Sequence, residues 1–138
     1  MIRYLLDTNI CIALIRHRNS DVLARLSACA PGEVGLSVIT LSELTFGVEK
    51  SARPAQNSVA LAVFCAPLEI LPYGPTAATA YGAIRAKLER AGQPIGPLDS
   101  LIAAHGLALD ATVVTDNERE FRRVPDLKVE NWIRARLA

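Results

Sequence analysis

Short apolar runs alternate with longer helical patterns along these 138 residues, and this alternation constrains the fold more than any other feature. Strand-like runs occupy residues 2–7, 34–39, 68–71, 112–115 and 128–130. This order is typical of a parallel sheet with helices on both faces. We therefore predict an α/β fold, a three-layer sandwich in which helices flank a central parallel sheet of four to five strands.

The helical patterns between these runs have recognisable ends. Asp21 is the predicted N-cap of the second helix, and Gly92 is the predicted end of the long alanine-rich helix. No internal repeat or interdomain linker interrupts the chain, so we expect residues 1–138 to form a single domain. The predicted helices cover residues 8–16, 22–29, 40–50, 54–66, 75–91 and 98–109, with a turn or short helix at 117–122 and a terminal helix at 132–137.

Acidic residues lie just beyond the apolar runs. In a parallel sheet the carboxyl ends of the strands share one edge, and ligands bind there. Acids far apart in sequence would then meet in one crevice and repel each other unless a cation compensates them. The candidates, which we predict to be catalytic, are Asp7, Glu43, Asp99, Glu120 and Asp116.

Each acid also has a purely structural interpretation. Asp7 could cap the helix that follows it, and Glu43 could complete a capping box with Thr40. Asp99 lies in a first helical turn, where the helix dipole favours an anion, and the last two acids lie in a polar turn. Because all of them fall at strand-to-helix junctions, the set favours a common site, although each structural alternative stays open.

Carboxylates at this edge would suit a hard divalent cation such as Mg²⁺. One or two such ions, about 4 Å apart when there are two, can activate water for phosphodiester hydrolysis. Small polar neighbours could hydrogen-bond water or phosphate. These supporting candidates are Thr8, Asn9, Ser100, Thr115 and Asn117.

The overall composition limits the possible partners. A net charge of +1 excludes a bulk polycation, so nucleic-acid binding would depend on local basic patches. A hydrophobic fraction of 51% indicates an apolar surface for self-association or for a partner. Three dispersed cysteines, no signal-peptide pattern and no bilayer-length apolar run favour a cytoplasmic protein without disulfides.

Several of these residues also carry a family resemblance that spans the chain from Asp7 to Trp132. The chain resembles PIN-domain ribonucleases and is most similar to the VapC toxins of bacterial toxin–antitoxin pairs. The matching segments are 5–9 (LLDTN), 42–44 (SEL), 94–99 (PIGPLD), 102–105 (IAAH) and 114–121 (VTDNEREF).

The resemblance implies an Mg²⁺-dependent endoribonuclease, with Mn²⁺ as a substitute, that leaves 5′-phosphate and 3′-hydroxyl ends. Asp7, Glu43 and Asp99 match the first three family acids, and Asp7 and Asp99 would ligate the metal. Glu120 matches the fourth acid of closely similar toxins. Asp116 stands nearer the strand, as the fourth acid does in other PIN domains, and is the alternative.

The resemblance also implies a substrate and partners. Such toxins cleave structured RNA, in some cases a tRNA anticodon loop, and so inhibit translation until a VapB-like antitoxin neutralises them. They commonly form homodimers. The candidate RNA-binding residues are Arg85, Arg119, Arg122 and Arg123.

Two alternative functions remain open at this point. The chain could be a non-catalytic PIN-like binding module, although retention of all the acids disfavours that. It could also be a DNA-directed nuclease with the same metal site. His17 and His105 are predicted to be structural or exposed, because a site for a hard cation is built from oxygen ligands.

Overall fold

A five-stranded parallel sheet forms the centre of the protein. The computed structural model describes residues 1–133. The strand order is β3-β2-β1-β4-β5, and every neighbouring pair is parallel, which confirms the predicted sheet. The strands are β1 (Tyr4–Leu6), β2 (Val34–Ser37), β3 (Glu69–Leu71), β4 (Thr112–Val114) and β5 (Val129–Glu130).

The order of the strands determines where a ligand can bind. β1 lies in the middle, paired with β2 on one side and with β4 on the other. The chain therefore reverses its direction of winding at β1, and such a switch point leaves a crevice at the carboxyl ends of the two strands. Asp7 follows β1 directly, and Thr115 follows β4.

Seven helices in residues 1–133 cover the two faces of the sheet. One hydrophobic cluster packs α5 to α7 against Leu5 and Val113, and the other packs α1 to α4 against Leu6 and Leu36. The three-layer prediction is thus confirmed. The helices are α1 (Thr8–His17), α2 (Ser20–Ser27), α3 (Val38–Glu49), α4 (Pro54–Cys65), α5 (Pro75–Arg90), α6 (Pro97–Leu109) and α7 (Glu118–Phe121).

Gly106 allows α6 to pack closely on β4. A Cβ atom at this position would lie only 2.6 Å from Cγ2 of Val113, so any larger residue would push the helix away from the sheet. This close approach matters for the site, because the first turn of α6 carries Asp99.

Three local predictions need correction. Asn19, not Asp21, caps α2, because its side chain accepts hydrogen bonds from the backbone N–H groups of Asp21 and Val22. β2 ends at Ser37, and α3 begins two residues before the predicted Thr40. The β-branched pair at 38–39 resembles a strand in sequence, but the Ser37 hydroxyl caps a helix there by accepting from the Ile39 N–H.

The third correction concerns the chain end. Trp132 and Ile133 are not helical, and residues 134–137 of the predicted terminal helix lie outside the described residues. The predicted end of α5 is confirmed, since Gly92 follows it with a φ of 68°. In residues 1–133, no helix combines the length and apolar character needed to cross a membrane.

Candidate active site

Asp7 is fixed at the centre of the sheet edge by two hydrogen bonds. One carboxylate oxygen accepts from the Thr8 backbone N–H at 2.7 Å, which caps α1. The other oxygen accepts from the Thr115 hydroxyl at 2.8 Å, across the β1–β4 pair. The capping interpretation of Asp7 is therefore confirmed, and it leaves the side chain facing the crevice beside β4.

Glu43 reaches the same edge from α3. Its carboxylate accepts a hydrogen bond from the Thr8 hydroxyl at 2.9 Å. The capping-box interpretation is wrong, because Thr40 lies inside the helix and Ser37 is the cap. The Thr40 hydroxyl is buried and has no hydrogen-bond partner within residues 1–133.

Asn117 joins two further acids of the predicted set, Asp99 and Glu120. Its side-chain amide donates to Asp99 at 3.3 Å and to Glu120 at 3.0 Å. Its backbone N–H donates to the Thr115 hydroxyl at 2.9 Å, which ties this group to Asp7. The sequence predicts Asn117 only as a polar neighbour of the acids, and its contact with both carboxylates is visible only in the structure.

Asp116 and Ser100 take peripheral positions. Asp116 is exposed at the rim, where it accepts a hydrogen bond from the Asn9 side chain at 3.3 Å. Ser100 is buried in α6, next to Asp99 in sequence. All five supporting residues thus lie at the same edge as the acids.

The surroundings of Asp99 and Asp7 raise the pKa of both carboxyl groups. Burial, followed by the negative charges of Asp7 and Glu120, raises the pKa of Asp99 from 3.8 to about 7. Burial also raises the pKa of Asp7, against the opposing effect of hydrogen bonds from Thr115 and Thr8. These carboxylates are therefore costly to hold in their charged forms without a compensating cation.

No basic side chain supplies that compensation in the described part of the chain. None of the five salt bridges in residues 1–133 involves an acid of the predicted set. No three acidic, histidine or cysteine side chains there are already gathered as a metal cage. The acids are held by amide and hydroxyl donors, and their oxygen atoms fit the preference of Mg²⁺ for one or two carboxylates plus water.

Two of the predicted RNA-binding arginines, Arg85 and Arg123, lie near residues 93–96, the connector that leads to α6 and Asp99. Arg123 donates to the Pro94 carbonyl at 3.0 Å, and Arg85 pairs with Glu89 on α5 at 3.0 Å. Arg122 pairs with Glu118 at 3.0 Å, while Arg119 is exposed on α7. The structure therefore brings Arg85 and Arg123 to one connector, which sequence spacing did not indicate.

Neither histidine belongs to the carboxylate cluster. His105 is buried, with Nδ1 2.8 Å from the Ser37 hydroxyl and its ring edge-on to Tyr73. Burial lowers the pKa of His105, which favours the neutral ring. His17 is exposed at the end of α1.

An apolar groove beside Glu43 was not predicted in detail. α4 buries none of its residues, and Val59 and Val63 are 64% and 68% exposed. Two adjoining cavities of about 300 and 430 Å³ run along it, the first lined by Glu43 and Leu61 and the second by Leu14 and Val63. The signal in the sequence was the absence of a polar face on α4, because a helix that is apolar all round is usually covered.

Comparison with known proteins agrees with this architecture. The PIN domain family matches residues 4–127. The tRNA(fMet)-specific endonuclease VapC of Shigella flexneri is 41% identical over 132 residues, 96% of this chain and 99% of the relative. Ribonuclease VapC2 of Rickettsia felis is 41% identical over 94% of this chain and 97% of its own length.

Solved structures show the same fold. VapBC2 of Rickettsia felis, crystallised with a DNA fragment from its promoter, matches with a TM-score of 0.91 and 41% identity over 96% of this chain and 99% of that chain. DNA-bound VapBC of Salmonella typhimurium matches with a TM-score of 0.92 and 40% identity over the same shares. Taken with the ordered acids at the sheet edge, these matches establish that the chain belongs to the PIN-domain family, among the VapC ribonucleases.

Proposed function

We propose that this protein is a divalent-metal-dependent endoribonuclease, the toxin of a toxin–antitoxin pair. The observation that carries the proposal is the convergence of Asp7, Glu43, Asp99 and Glu120, from four separate elements, without a basic partner in residues 1–133. Family membership adds the class of reaction. Asp116 is the alternative to Glu120, and its exposed position with a single contact to Asn9 favours Glu120.

The site residues would have separate roles in phosphodiester hydrolysis. Asp7 and Asp99 would bind Mg²⁺, or Mn²⁺ in its place, which would supply a water of lowered pKa and offset charge on the phosphate. Thr115 and the Thr8 backbone fix the Asp7 carboxylate, and Asn117 sets the separation of Asp99 and Glu120. Cleavage would leave 5′-phosphate and 3′-hydroxyl ends.

We propose a structured RNA as substrate, with a tRNA anticodon loop as the first candidate. The relative from Shigella flexneri is named a tRNA(fMet)-specific endonuclease. Loop bases are unstacked and their backbone is open to attack, which suits an exposed crevice. Arg85, Arg119, Arg122 and Arg123 would contact the phosphates of the RNA, and cleavage of such a loop would stop translation.

The partner that we propose for the groove along α4 is a VapB-like antitoxin. Matching structures are VapBC complexes. Exposed Val63 lines the groove, exposed Val59 lies on the same helix, and Arg16 and Arg18 line the two cavities of the groove. A segment with aliphatic and acidic residues would bury the first pair and neutralise the second. Val63→Asp should weaken antitoxin binding, measured by calorimetry, without altering cleavage.

We also propose a homodimer. A shallow depression of about 490 Å³ on α5 and α6, lined by Thr79, Ala80 and Leu107, lies apart from the groove. Small side chains there would allow a second copy to approach closely. Light scattering of the antitoxin-free protein should give twice the monomer mass of 14.9 kDa, and a monomer at all concentrations would contradict the proposal.

The function is tested by incubating antitoxin-free protein with total cellular RNA and Mg²⁺, followed by mapping of the 5′ ends. Discrete cuts that require metal are expected. If neither RNA nor matched DNA loops are cut, the protein is a binding module; cuts in DNA alone would make it a DNA-directed nuclease.

A further inference from the structure

A small cavity lies beside Asp99, between α5 and the connector of residues 93–96. Its volume is about 150 Å³. That is below the range of pockets for drug-sized ligands, but it admits one planar ring system. The apolar part of its lining consists of Leu88, Pro94, Ile95 and Pro97. A charged pair, Arg85 and Glu89, also lines it.

The cavity lies next to the carboxylate cluster. Ser100, the residue after Asp99, lines it. The connector backbone separates the cavity from the carboxylate cluster. A Cβ atom on Gly96 would lie 3.7 Å from the Asp99 carboxylate. A group in this cavity would therefore be a close neighbour of a phosphate bound at Asp99.

The charged pair retains much of its hydrogen-bonding capacity. Arg85 donates from Nε to Glu89 at 3.0 Å and from Nη1 to the Tyr81 hydroxyl at 2.7 Å. A guanidinium carries five N–H donors and a carboxylate carries two acceptor oxygens. Since both side chains are about half exposed, the pair contributes little to stability as an ion pair.

We infer that this cavity is a nucleobase pocket for the nucleotide next to the scissile phosphate, and that it prefers guanine. The inference rests on the proposed ribonuclease function and adds a base preference to it. Guanine presents two adjacent N–H donors, which a carboxylate can accept together, beside an O6 acceptor for a guanidinium. Adenine, cytosine and uracil each present only one such donor group to the carboxylate.

The surrounding residues fit this role. Leu88 and Ile95 would contact the faces of the ring, and Arg123, which is bonded to the Pro94 carbonyl, would place a positive charge on the other side of the connector. Proteins that recognise RNA loops commonly read splayed bases in this manner, by apolar contact with the ring and hydrogen bonds along its Watson–Crick edge.

The test uses hairpin RNAs with a randomised loop, cleaved by the wild-type protein, Glu89→Gln, Arg85→Gln and the control Arg3→Gln. Arg3 forms a comparable exposed ion pair with Glu33 at 3.0 Å, at the opposite edge of the sheet. We expect the wild type and Arg3→Gln to require guanine at one fixed position near the cut. Replacing that base with inosine, which lacks the 2-amino group, should lower kcat/KM roughly tenfold, and Glu89→Gln should lose this discrimination.

A binding measurement separates this inference from the proposed function. Asp99→Asn, which should not cleave, is titrated with guanine- and inosine-containing loops, and the two Kd values are compared by fluorescence anisotropy, alone and combined with Glu89→Gln. A guanine preference that Glu89→Gln removes supports the pocket even if no cleavage is found. Equal Kd values for the two loops, or a preference that persists in Glu89→Gln, would overturn the pocket whether or not the wild type cleaves RNA.

Discussion

The acidic residues at the amino edge of the sheet are compensated differently from the carboxylate cluster at its carboxyl edge. At the amino edge, Glu33 pairs with Arg3 at 3.0 Å and Asp110 pairs with Lys128 at 3.1 Å. At the carboxyl edge, Asp7, Glu43, Asp99 and Glu120 meet only amide and hydroxyl donors in residues 1–133. The acids of the amino edge are neutralised by basic side chains of the chain itself, whereas these four carboxylates form no salt bridge within residues 1–133.

This difference shows how one fold can separate stability from function. Exposed ion pairs contribute little to the stability of the protein, and they need no ligand to compensate their charges. Buried, mutually repelling carboxylates are costly, and functional sites are where such costs are found.

The largest expected effect is on catalysis. Asp7→Asn should lower the rate of RNA cleavage by on the order of 10³-fold, because a charged ligand of the proposed metal ion would be lost. The fold should survive, since the side-chain oxygen of the new asparagine can still accept a hydrogen bond from the Thr8 N–H. The rate of cleavage is measured on a labelled RNA hairpin.

The matched control for Asp7→Asn is Asp110→Asn, at the amino edge. Asparagine tolerates the left-handed conformation of this residue, where φ is 52°, so both stability and cleavage should be retained. If Asp7→Asn cleaves like the wild type, or if the control is equally impaired, the contrast between the edges has no catalytic meaning.

The next largest effect should distinguish the two candidates for the fourth acid. Glu120→Gln should reduce cleavage by on the order of 10²-fold, because Glu120 shares its amide donor with Asp99. Asp116→Asn should cost less than about tenfold, since Asp116 is exposed and bonded only to Asn9 among residues 1–133. Single-turnover rates rank the two variants, and the opposite ranking would reassign the role to Asp116.

The third effect is on stability without metal. Because the pKa of Asp99 is raised in the folded protein from 3.8 to about 7, the folded state binds more protons than the unfolded state between these values. The contribution of Asp99 to stability is therefore greatest at low pH and is lost as the pH rises through about 7. The raised pKa of Asp7 acts in the same direction.

Calorimetry in a chelator at several pH values measures this effect. Asp99→Asn should melt at a higher temperature than the wild type at pH 8, with the difference shrinking toward pH 4, and excess Mg²⁺ should stabilise only the wild type. An Asp99→Asn protein that is less stable than the wild type at pH 8 would show that the carboxylate is already compensated.

The smallest effect concerns the buried hydroxyl of Thr40 in α3. Thr40→Val removes a polar atom that has no partner in residues 1–133 and keeps the shape of the side chain. The free energy of unfolding should rise by about 1 kcal/mol. Denaturant titration measures it, with Thr40→Ser, which keeps the hydroxyl, as the control. A loss of stability in Thr40→Val would mean that the Thr40 hydroxyl has a hydrogen-bond partner in solution.

The parts of the fold that sequence predicted well are those that depend on local patterns. The five strands and the end of α5 at Gly92 follow from apolar runs and turn chemistry. The boundary at Ser37 was wrong because the following β-branched residues favour a strand, and only a side-chain cap made them helical. The prediction of Asp21 as the cap of α2 was wrong because Asn and Asp both suit an N-cap, and only the structure shows that Asn19 accepts the hydrogen bond.

The candidate site shows the same division. Asp7 and Asp99 could be selected from sequence because each stands at a junction between an apolar run and a helix. The pairing of Thr8 with Glu43 and the double contact of Asn117 could not be selected, since they join residues on different elements.

The order of amino acids was enough to predict the alternation of strands and helices, the acidic residues after the strands and the family. The contacts between donors and acids, and the cavity beside them, depend on how the elements pack. The physical reason is that β1 pairs with β4, which brings Thr115 to the Asp7 carboxylate across 108 positions of the chain. Contacts of that kind depend on strand order and register, which local propensity does not encode.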